Sequence, residues 1–208
     1  MPTARLFALS LAAALVTLVL VVGGIALWQR LSGPDESRYG GDFTLLHMSG
    51  EARRLSSLPG RFKLLYFGYT SCPDVCPLAL ANLVRALEIL DPAERARVQP
   101  VFVSVDPERD RPEAVRSYLG LFATDSVQFE GFSGTPASTH RVVREQFRLY
   151  YERVDDPRYT EYIMNHPSLF LLLDSQGRLI PGGLIQDRAE RGAHRTIARE
   201  LAALLERY

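Results

Sequence analysis

The sequence predicts an α/β fold in which helices flank a mixed β-sheet with parallel central strands and a hairpin at each end. Three observations support this prediction. Short apolar runs of β type alternate with amphipathic helical segments after residue 40. Glycine or an Asp-Pro pair ends several of these runs. The last two runs are joined by a short turn, which is typical of a hairpin. Strands that alternate with helices pair in parallel, so the fold class follows from the order of the elements.

The composition is that of one globular domain with an appended segment. The chain has 208 residues, of which 47% are hydrophobic and 23% charged, enough for a sizeable core. Lys plus Arg equals Asp plus Glu, so the formal net charge is +0, and no long basic run occurs. Because phosphate binding requires clustered basic residues, nucleic acid is excluded as an expected partner.

The N-terminal 30 residues predict a single transmembrane anchor. The uncharged apolar run from Leu6 to Trp28 would span about 34 Å as a helix, enough to cross a bilayer. A cleaved signal peptide is the alternative, but its apolar region is usually about 7–15 residues long. Residues 31–40 are turn-forming and charged, which indicates a linker, and residues 41–208 form the predicted domain. The weak charge asymmetry favours a cytoplasmic N-terminus with the domain on the other side of the membrane.

The first half of the domain predicts a peripheral hairpin followed by a β-α-β-α order. The hairpin lies around residues 43–54, and the apolar run 61–67 is a buried strand. Helical spacing of leucines predicts a helix over residues 77–90, which ends at Asp91-Pro92. Residues 98–105 form the next central strand. Asp110 then resembles the N-cap of a helix that extends through Phe122.

The second half continues the alternation. A short strand is predicted at residues 127–129, and Thr135-Pro136 starts a helix that extends to about Phe147. Two hairpins follow, one with arms at 149–154 and 159–164 and one with arms at 168–173 and 178–180. An apolar stripe then predicts a last helix from about Asp187 to Glu206. This order of elements resembles a thioredoxin-like fold.

Both cysteines lie where the first central strand gives way to a helix. Cys72 and Cys76 are four residues apart, and a helix that begins there would place both sulfurs on one face and lower the pKa of a thiol. Their disulfide would close a very small loop and stabilise the fold little, so we interpret it as a reversible state. Two chemistries remain, thiol–disulfide exchange and binding of a soft metal. Redox motifs usually have two residues between the cysteines, whereas here there are three.

Only one of the four histidines is a strong candidate for a third metal ligand. His166 precedes an apolar strand and is followed by Pro167, a place where thioredoxin-like folds bring a loop against the cysteine helix. His47 lies in the early hairpin, and His140 and His194 lie on predicted helices, where packing or solvation explains them better. Cys72, Cys76 and His166 together form a plausible site with one nitrogen and two sulfur donors.

Several motifs, in order, resemble those of the Sco/SenC family of membrane-anchored, thioredoxin-like copper proteins. They are Tyr39-Gly40-Gly41, Tyr66-Phe67-Gly68-Tyr69-Thr70, Cys72-Pro73-Asp74-Val75-Cys76-Pro77, Val103-Ser104-Val105-Asp106-Pro107-Glu108-Arg109-Asp110 and the late His166. The resemblance implies copper, as Cu(I) or Cu(II), held by Cys72, Cys76 and His166. It also implies a role in maturing the CuA centre of cytochrome c oxidase, with the oxidase subunit as partner and a location at the bacterial inner membrane facing the periplasm. Asp74 and Asp106 become candidates for tuning the site.

Some residues depart from the family pattern. Ser71 replaces a common histidine, His47 a common acidic residue, and Pro167 a common Ser or Thr. Pro167 resembles the cis-proline of thiol oxidoreductases. An alternative function therefore stays open, that of a thiol–disulfide oxidoreductase that reduces the oxidase subunit's cysteines or acts in redox signalling. A copper chaperone, working with other copper chaperones or thiol–disulfide proteins, is the preferred function. For Asp74 and Asp106, helix capping and strand termination are structural alternatives.

Overall fold

A computed structural model describes residues 15–25, 28, 39–159, 162–187, 190 and 192–208. The chain divides into two compact units, Met1–Asp35 and Glu36–Tyr208. In the first unit, residues 15–25 are helical and their large apolar side chains are exposed. Within the residues described, no helix has both the length and the apolarity that crossing a membrane requires. Most of the predicted anchor (1–30) and of the predicted linker (31–40) lies outside the described residues, so both stay predictions.

Nine strands and five α-helices are described in the second unit. The strands, in chain order, are β1 (Thr44–His47), β2 (Ala52–Arg54), β3 (Phe62–Gly68), β4 (Val98–Ser104), β5 (Glu130–Ser133), β6 (Glu152–Val154), β7 (Ile163–Asn165), β8 (Leu169–Leu173) and β9 (Leu179–Gln186). The helices are α1 (Val75–Ile89), α2 (Pro92–Arg95), α3 (Pro112–Gly120), α4 (Pro136–His140) and α5 (His194–Arg207).

Seven of these strands form one mixed sheet in the order β2-β1-β5-β4-β3-β8-β9. The central strands β3, β4 and β5 are parallel, while β1, β8 and β9 pair antiparallel at the two sides. Strands β6 and β7 form a separate hairpin. The predicted mixed α/β fold is therefore confirmed, including its parallel centre and its hairpins.

The parallel centre is buried as such sheets usually are. Every residue of β3 is buried, and so is all of β4 except Gln99. Lys63 of β3 is buried too, and its ammonium donates to the carbonyl oxygens of Pro59 and Gly60 at 2.9 and 2.5 Å. Burial lowers the pKa of this lysine. The carboxyl ends of β3, β4 and β5 lie at one edge of the sheet, where α/β folds commonly place their functional groups.

Several predicted elements differ from the structure in their bounds or in their helix type. The strand expected at 127–129 starts at Glu130, because Val127 and Thr124 exchange backbone hydrogen bonds in a turn. The last helix starts at His194 rather than Asp187, because Gly192 adopts φ +93° just before it. Helix α4 is capped by Thr135 as predicted, but it changes to a π-helix over Arg141–Gln146 before it ends.

The predicted N-cap of α3 is wrong. The N-cap position belongs to Arg111, with Pro112 at the start of the helix, and no side chain caps it. The carboxylate of Asp110 turns inward instead and accepts hydrogen bonds from Thr70 and Ser104. The nitrogen of Pro112 has no hydrogen to donate, so this first helical position needs no hydrogen-bond acceptor. The carboxylate of Asp110 is therefore available for other partners.

Candidate metal centre

The two cysteines lie just beyond the carboxyl end of β3. Helix α1 begins at Val75, so Cys76 is in its first turn and Cys72 is in the preceding loop. Cys76 is fully buried and Cys72 is half-buried, and both are free thiols. The backbone N–H of Cys76 points at the sulfur of Cys72 over 3.4 Å, which brings the two sulfurs together although only one is on the helix. The N-terminus of α1 therefore offers an unpaired N–H to a thiolate, as predicted.

The two thiols have opposite protonation preferences. A hydrogen bond from the Cys76 thiol holds the pKa of Cys72 well below its usual range, and the backbone N–H groups of Cys76 and Asp74 lower it further, against the cost of burial. The same bond, together with burial, raises the pKa of Cys76. One proton is thus held between two sulfurs, with Cys72 the thiolate and Cys76 the thiol.

His166 presents a free lone pair to this pair of sulfurs. Its Nε2 lies 3.5 Å from Sγ of Cys76, and its Nδ1 lies 3.1 Å from the carbonyl oxygen of Pro167. Because a carbonyl oxygen only accepts hydrogen bonds, Nδ1 carries the proton and Nε2 is the acceptor. The rings of Tyr66 and Tyr69 meet the imidazole edge to face, at 6.2 and 5.9 Å between centroids. The ring is therefore fixed in orientation and in tautomer.

The spacing of the donors is compatible with a soft metal ion. Two ligands with metal–sulfur and metal–nitrogen bonds of ordinary length are roughly 3.6 Å apart at a tetrahedral angle, close to the 3.5 Å between Cys76 and His166. Within the part of the chain that the structure describes, no three histidine, cysteine or carboxylate side chains are already grouped as a metal cage. Coordination by all three donors therefore requires the half-buried Cys72 side chain to adjust.

The other histidines lie elsewhere. His47 is buried, with Nε2 2.5 Å from a carboxylate oxygen of Glu130 and Nδ1 2.9 Å from the hydroxyl of Ser49. His140 is exposed on α4, and His194 begins α5. The positions of His47 and His140 match the packing and surface roles that the sequence favours for them, whereas Nδ1 of His194, which the sequence predicts to be solvated, is buried and has no hydrogen-bond partner among the described residues.

The two candidate tuning residues differ in what their side chains reach. Asp106, buried after β4, accepts from the Tyr162 hydroxyl at 2.8 Å and pairs with Arg109 at 2.5 Å. Tyr162 lies four residues before His166, so Asp106 contacts the segment that carries the histidine. Asp74 is exposed at the N-cap position of α1, and its side chain makes no capping bond. The contribution of Asp74 is its backbone N–H, which helps to lower the pKa of Cys72.

The resemblance of Pro167 to the cis-proline of thiol oxidoreductases does not extend to its backbone. None of the peptide bonds between described residues is cis, so the bond from His166 to Pro167 is trans. The proline acts here through its carbonyl oxygen, which accepts from the histidine ring.

Sequence reasoning missed several residues around the sulfurs. Position 68 has no room for a side chain, because a Cβ there would lie 3.2 Å from the Cys76 sulfur and 2.9 Å from two aromatic rings. Beside it, the Tyr66 hydroxyl is 3.3 Å from that of Ser168, which in turn donates to Asp187 at 3.1 Å. The sequence predicts a helix cap for Asp110. Asp110 follows β4, at the same sheet edge as the cysteines, and this position could have indicated that it lies near the site.

Comparisons with known proteins agree with this geometry. The model of the SCO1/SenC family matches residues 32–206. A SCO2-like protein of Rickettsia conorii is 33% identical over 181 residues, which cover 79% of this chain and 84% of that protein. The structure of Bradyrhizobium japonicum ScoI with copper bound is 35% identical, with a TM-score of 0.61, over 82% of this chain and 99% of that one. Arabidopsis thaliana ScoI with copper bound is 27% identical, with a TM-score of 0.71, over 81% and 99%. The chain belongs to the SCO1/SenC family.

Proposed function

We propose that this protein is a copper metallochaperone that helps to assemble the CuA centre of cytochrome c oxidase. The observation that carries the proposal is the meeting of two reduced thiols and the free Nε2 of His166 at the carboxyl end of β3. Two soft sulfur donors and one imidazole favour copper over harder ions. The copper-bound ScoI structures support the choice of metal, and the family resemblance supports the oxidase subunit as acceptor.

Copper is the cargo, and the site's own groups explain uptake and release. Cys72 is half-buried and already a thiolate, so it is the first ligand to meet an incoming Cu(I). Cys76 gives up its proton when it binds the ion, and His166 supplies the third donor through Nε2. Release to the acceptor follows by ligand exchange, in which a cysteine of the oxidase subunit replaces the half-buried Cys72 before the fully buried Cys76.

The location of the protein is part of the proposal. Residues 1–30 anchor the chain in the bacterial inner membrane in a single pass, and residues 31–40 link the anchor to a domain, 41–208, in the periplasm. The uncharged run from Leu6 to Trp28 supports this location. A reporter that works only outside the cytoplasm should be active when it is fused after Tyr208. Activity of a fused reporter that works only in the cytoplasm would contradict this orientation.

Thiol–disulfide exchange is the second candidate function, favoured by the low pKa of Cys72. The Cys72 thiolate would attack a disulfide of the oxidase subunit, form a mixed disulfide and release one acceptor thiolate. Cys76 would then lose its proton and attack Cys72, leaving a Cys72–Cys76 disulfide and two reduced acceptor cysteines ready for copper. This reaction needs both cysteines but no third ligand.

Anaerobic titration of the full-length chain with Cu(I) tests the proposal. The wild type should bind one copper ion per chain, and Cys72→Ala, Cys76→Ala and His166→Ala should each bind it far more weakly. His140→Ala, which removes an exposed imidazole from α4, is the matched control and should bind like the wild type. Undiminished tight binding by all three site variants would overturn the proposal.

A further inference from the structure

The buried carboxylate of Asp110 lies beneath the loop that carries Cys72. It is fully buried, and it accepts hydrogen bonds from the backbone N–H of Thr70 at 2.9 Å and from the Thr70 hydroxyl at 2.5 Å. The hydroxyl of Ser104 donates to the same carboxylate at 2.6 Å. Burial of a carboxylate costs free energy unless hydrogen-bond donors surround it. The three hydrogen bonds to Asp110 offset that cost and fix the side chain in one position.

These bonds connect the ends of all three parallel strands. Thr70 follows the end of β3, Ser104 is the last residue of β4, and Ser133 is the last residue of β5. The Ser133 hydroxyl donates to the backbone oxygen of Asp110 at 2.5 Å, and the Asp110 N–H donates to the carbonyl oxygen of Asp106 at 2.9 Å. Asp110 is therefore fixed to the rigid centre of the sheet, and Thr70 is fixed to Asp110.

The loop beyond Thr70 has few other attachments. The Cys72 N–H donates to the carbonyl oxygen of Tyr69 at 3.3 Å, inside the same loop, and Ser71 is exposed. Both polar groups of Thr70 that can donate, its N–H and its hydroxyl, go to Asp110. Besides the contact of the Cys72 sulfur with the Cys76 N–H, the two bonds from Thr70 to Asp110 thus tie the backbone before Cys72 to the sheet.

We infer that Asp110 is a positioning residue, which acts through Thr70 to hold the Cys72 loop where its sulfur faces Cys76 and His166. The inference deepens the proposed copper function and rests on it for its effect on metal binding. A group that orients a metal ligand through a hydrogen bond typically changes metal affinity about 10–100-fold when it is removed. The effect on the loop itself exists without any metal.

Three variants of the full-length chain test this inference. Asp110→Asn keeps the shape but removes the charge, and Thr70→Val keeps the N–H bond but removes the hydroxyl. Thr70→Ser restores the hydroxyl and is the conservative rescue. Leu201→Ala, in the core of α5, is the control for a general loss of stability. If Asp110→Asn fails to fold, Thr70→Val still tests the same bond.

Two measurements are needed, one of them without copper. In the metal-free protein, amide hydrogen exchange at residues 69–72 should quicken at least about tenfold in Asp110→Asn and Thr70→Val, with residues 101–103 of β4 unchanged. Copper affinity should fall about 10–100-fold in both variants, and Thr70→Ser should match the wild type in both measurements. Exchange that quickens across β4 as well, as in Leu201→Ala, or an unchanged copper affinity, would overturn the inference. If the wild type binds no copper, the proposed function fails, and the exchange measurement alone decides whether Asp110 positions the loop.

Discussion

Sγ of Cys76 lies 3.5 Å from Nε2 of His166, although 90 residues separate them in the sequence. The contact joins the first turn of α1 to the loop before β8, two elements that the antiparallel pairing of β3 with β8 brings side by side. Since Nδ1 of His166 donates to Pro167, the lone pair on Nε2 faces the sulfurs. A thiol and an imidazole are thereby placed to share one ion.

From this contact we expect His166→Ala to separate the two candidate functions. Copper affinity should fall at least about 100-fold, more than the loss of an outer-shell partner usually costs. Formation and reduction of the Cys72–Cys76 disulfide should continue, because neither step needs the imidazole as a ligand. Cu(I) competition titration and a dithiothreitol redox titration on the same samples measure the two effects. Equal loss of both activities would contradict this separation.

The low pKa of Cys72 should make the stability of the reduced protein depend on pH. The folded-state pKa lies below the unfolded value of about 8.5, so the unfolded chain binds more protons between the two values and stability rises with pH there. The contribution is fully present above about pH 8.5 and is lost as the pH falls toward the folded-state pKa. The free energy of unfolding in urea, measured under reducing conditions from pH 5 to 8, should rise less steeply in Cys72→Ser than in the wild type. Parallel curves would mean that Cys72 is an ordinary thiol.

Gly68 should not accept a side chain. The added Cβ of Gly68→Ala would lie 2.9 Å from the rings of Phe102 and Tyr66 and 3.2 Å from the Cys76 sulfur. We expect a loss of about 1–3 kcal/mol in the free energy of unfolding, together with weaker copper binding, because the sulfur must shift. Gly120→Ala at the end of α3 is the control, since a Cβ there meets no atom within 4 Å. A Gly68→Ala protein with wild-type stability and affinity would show that the site has unexpected room.

Arg109 should stabilise the hairpin that precedes His166. Its guanidinium lies 3.7 Å from the centroid of the Tyr162 ring, pairs with Asp106 and donates to the Tyr162 carbonyl oxygen at 3.0 Å. Arg109→Lys keeps the charge but loses the planar stacking, so the free energy of unfolding should fall by about 1–2 kcal/mol.

Arg158→Lys is the matched control for this substitution. Arg158 pairs with Asp156 on the exposed side of the same hairpin, where the change should be below about 0.5 kcal/mol. Urea denaturation measures both variants. Similar losses in the two would assign the effect to surface charge rather than to stacking.

The local features of this fold were predictable from the sequence. Apolar periodicity located β3, β4 and α1, and the Thr135-Pro136 pair located the start of α4, because these signals depend on residues close in the chain. The apolar stripe predicts a start of the last helix that is too early, because it does not reveal the positive φ of Gly192 just before His194. Short-range patterns therefore predict the location of most helices and strands, but seldom the residues at which they begin and end.

The candidate site was predictable to the extent that its chemistry is rare in the chain. Two cysteines and four histidines left few combinations, and the structure places Cys72, Cys76 and His166 together. The role of Asp110 was missed, because an acidic residue before a proline-led helix is usually a cap, and only the tertiary structure shows it bonded to Thr70. Hydrogen bonds between distant segments leave no periodic signal in the sequence.

X-ray absorption spectroscopy of the Cu(I)-loaded full-length protein identifies the copper ligands directly. We expect two sulfur ligands and one imidazole nitrogen in the wild type, with loss of the nitrogen in His166→Ala and of one sulfur in Cys76→Ala. The imidazole is recognisable by the scattering of its outer ring atoms, which a solvent ligand lacks. A sulfur-only site in the wild type, or a spectrum that His166→Ala leaves unchanged, would contradict the assignment of Cys72, Cys76 and His166 as the copper ligands.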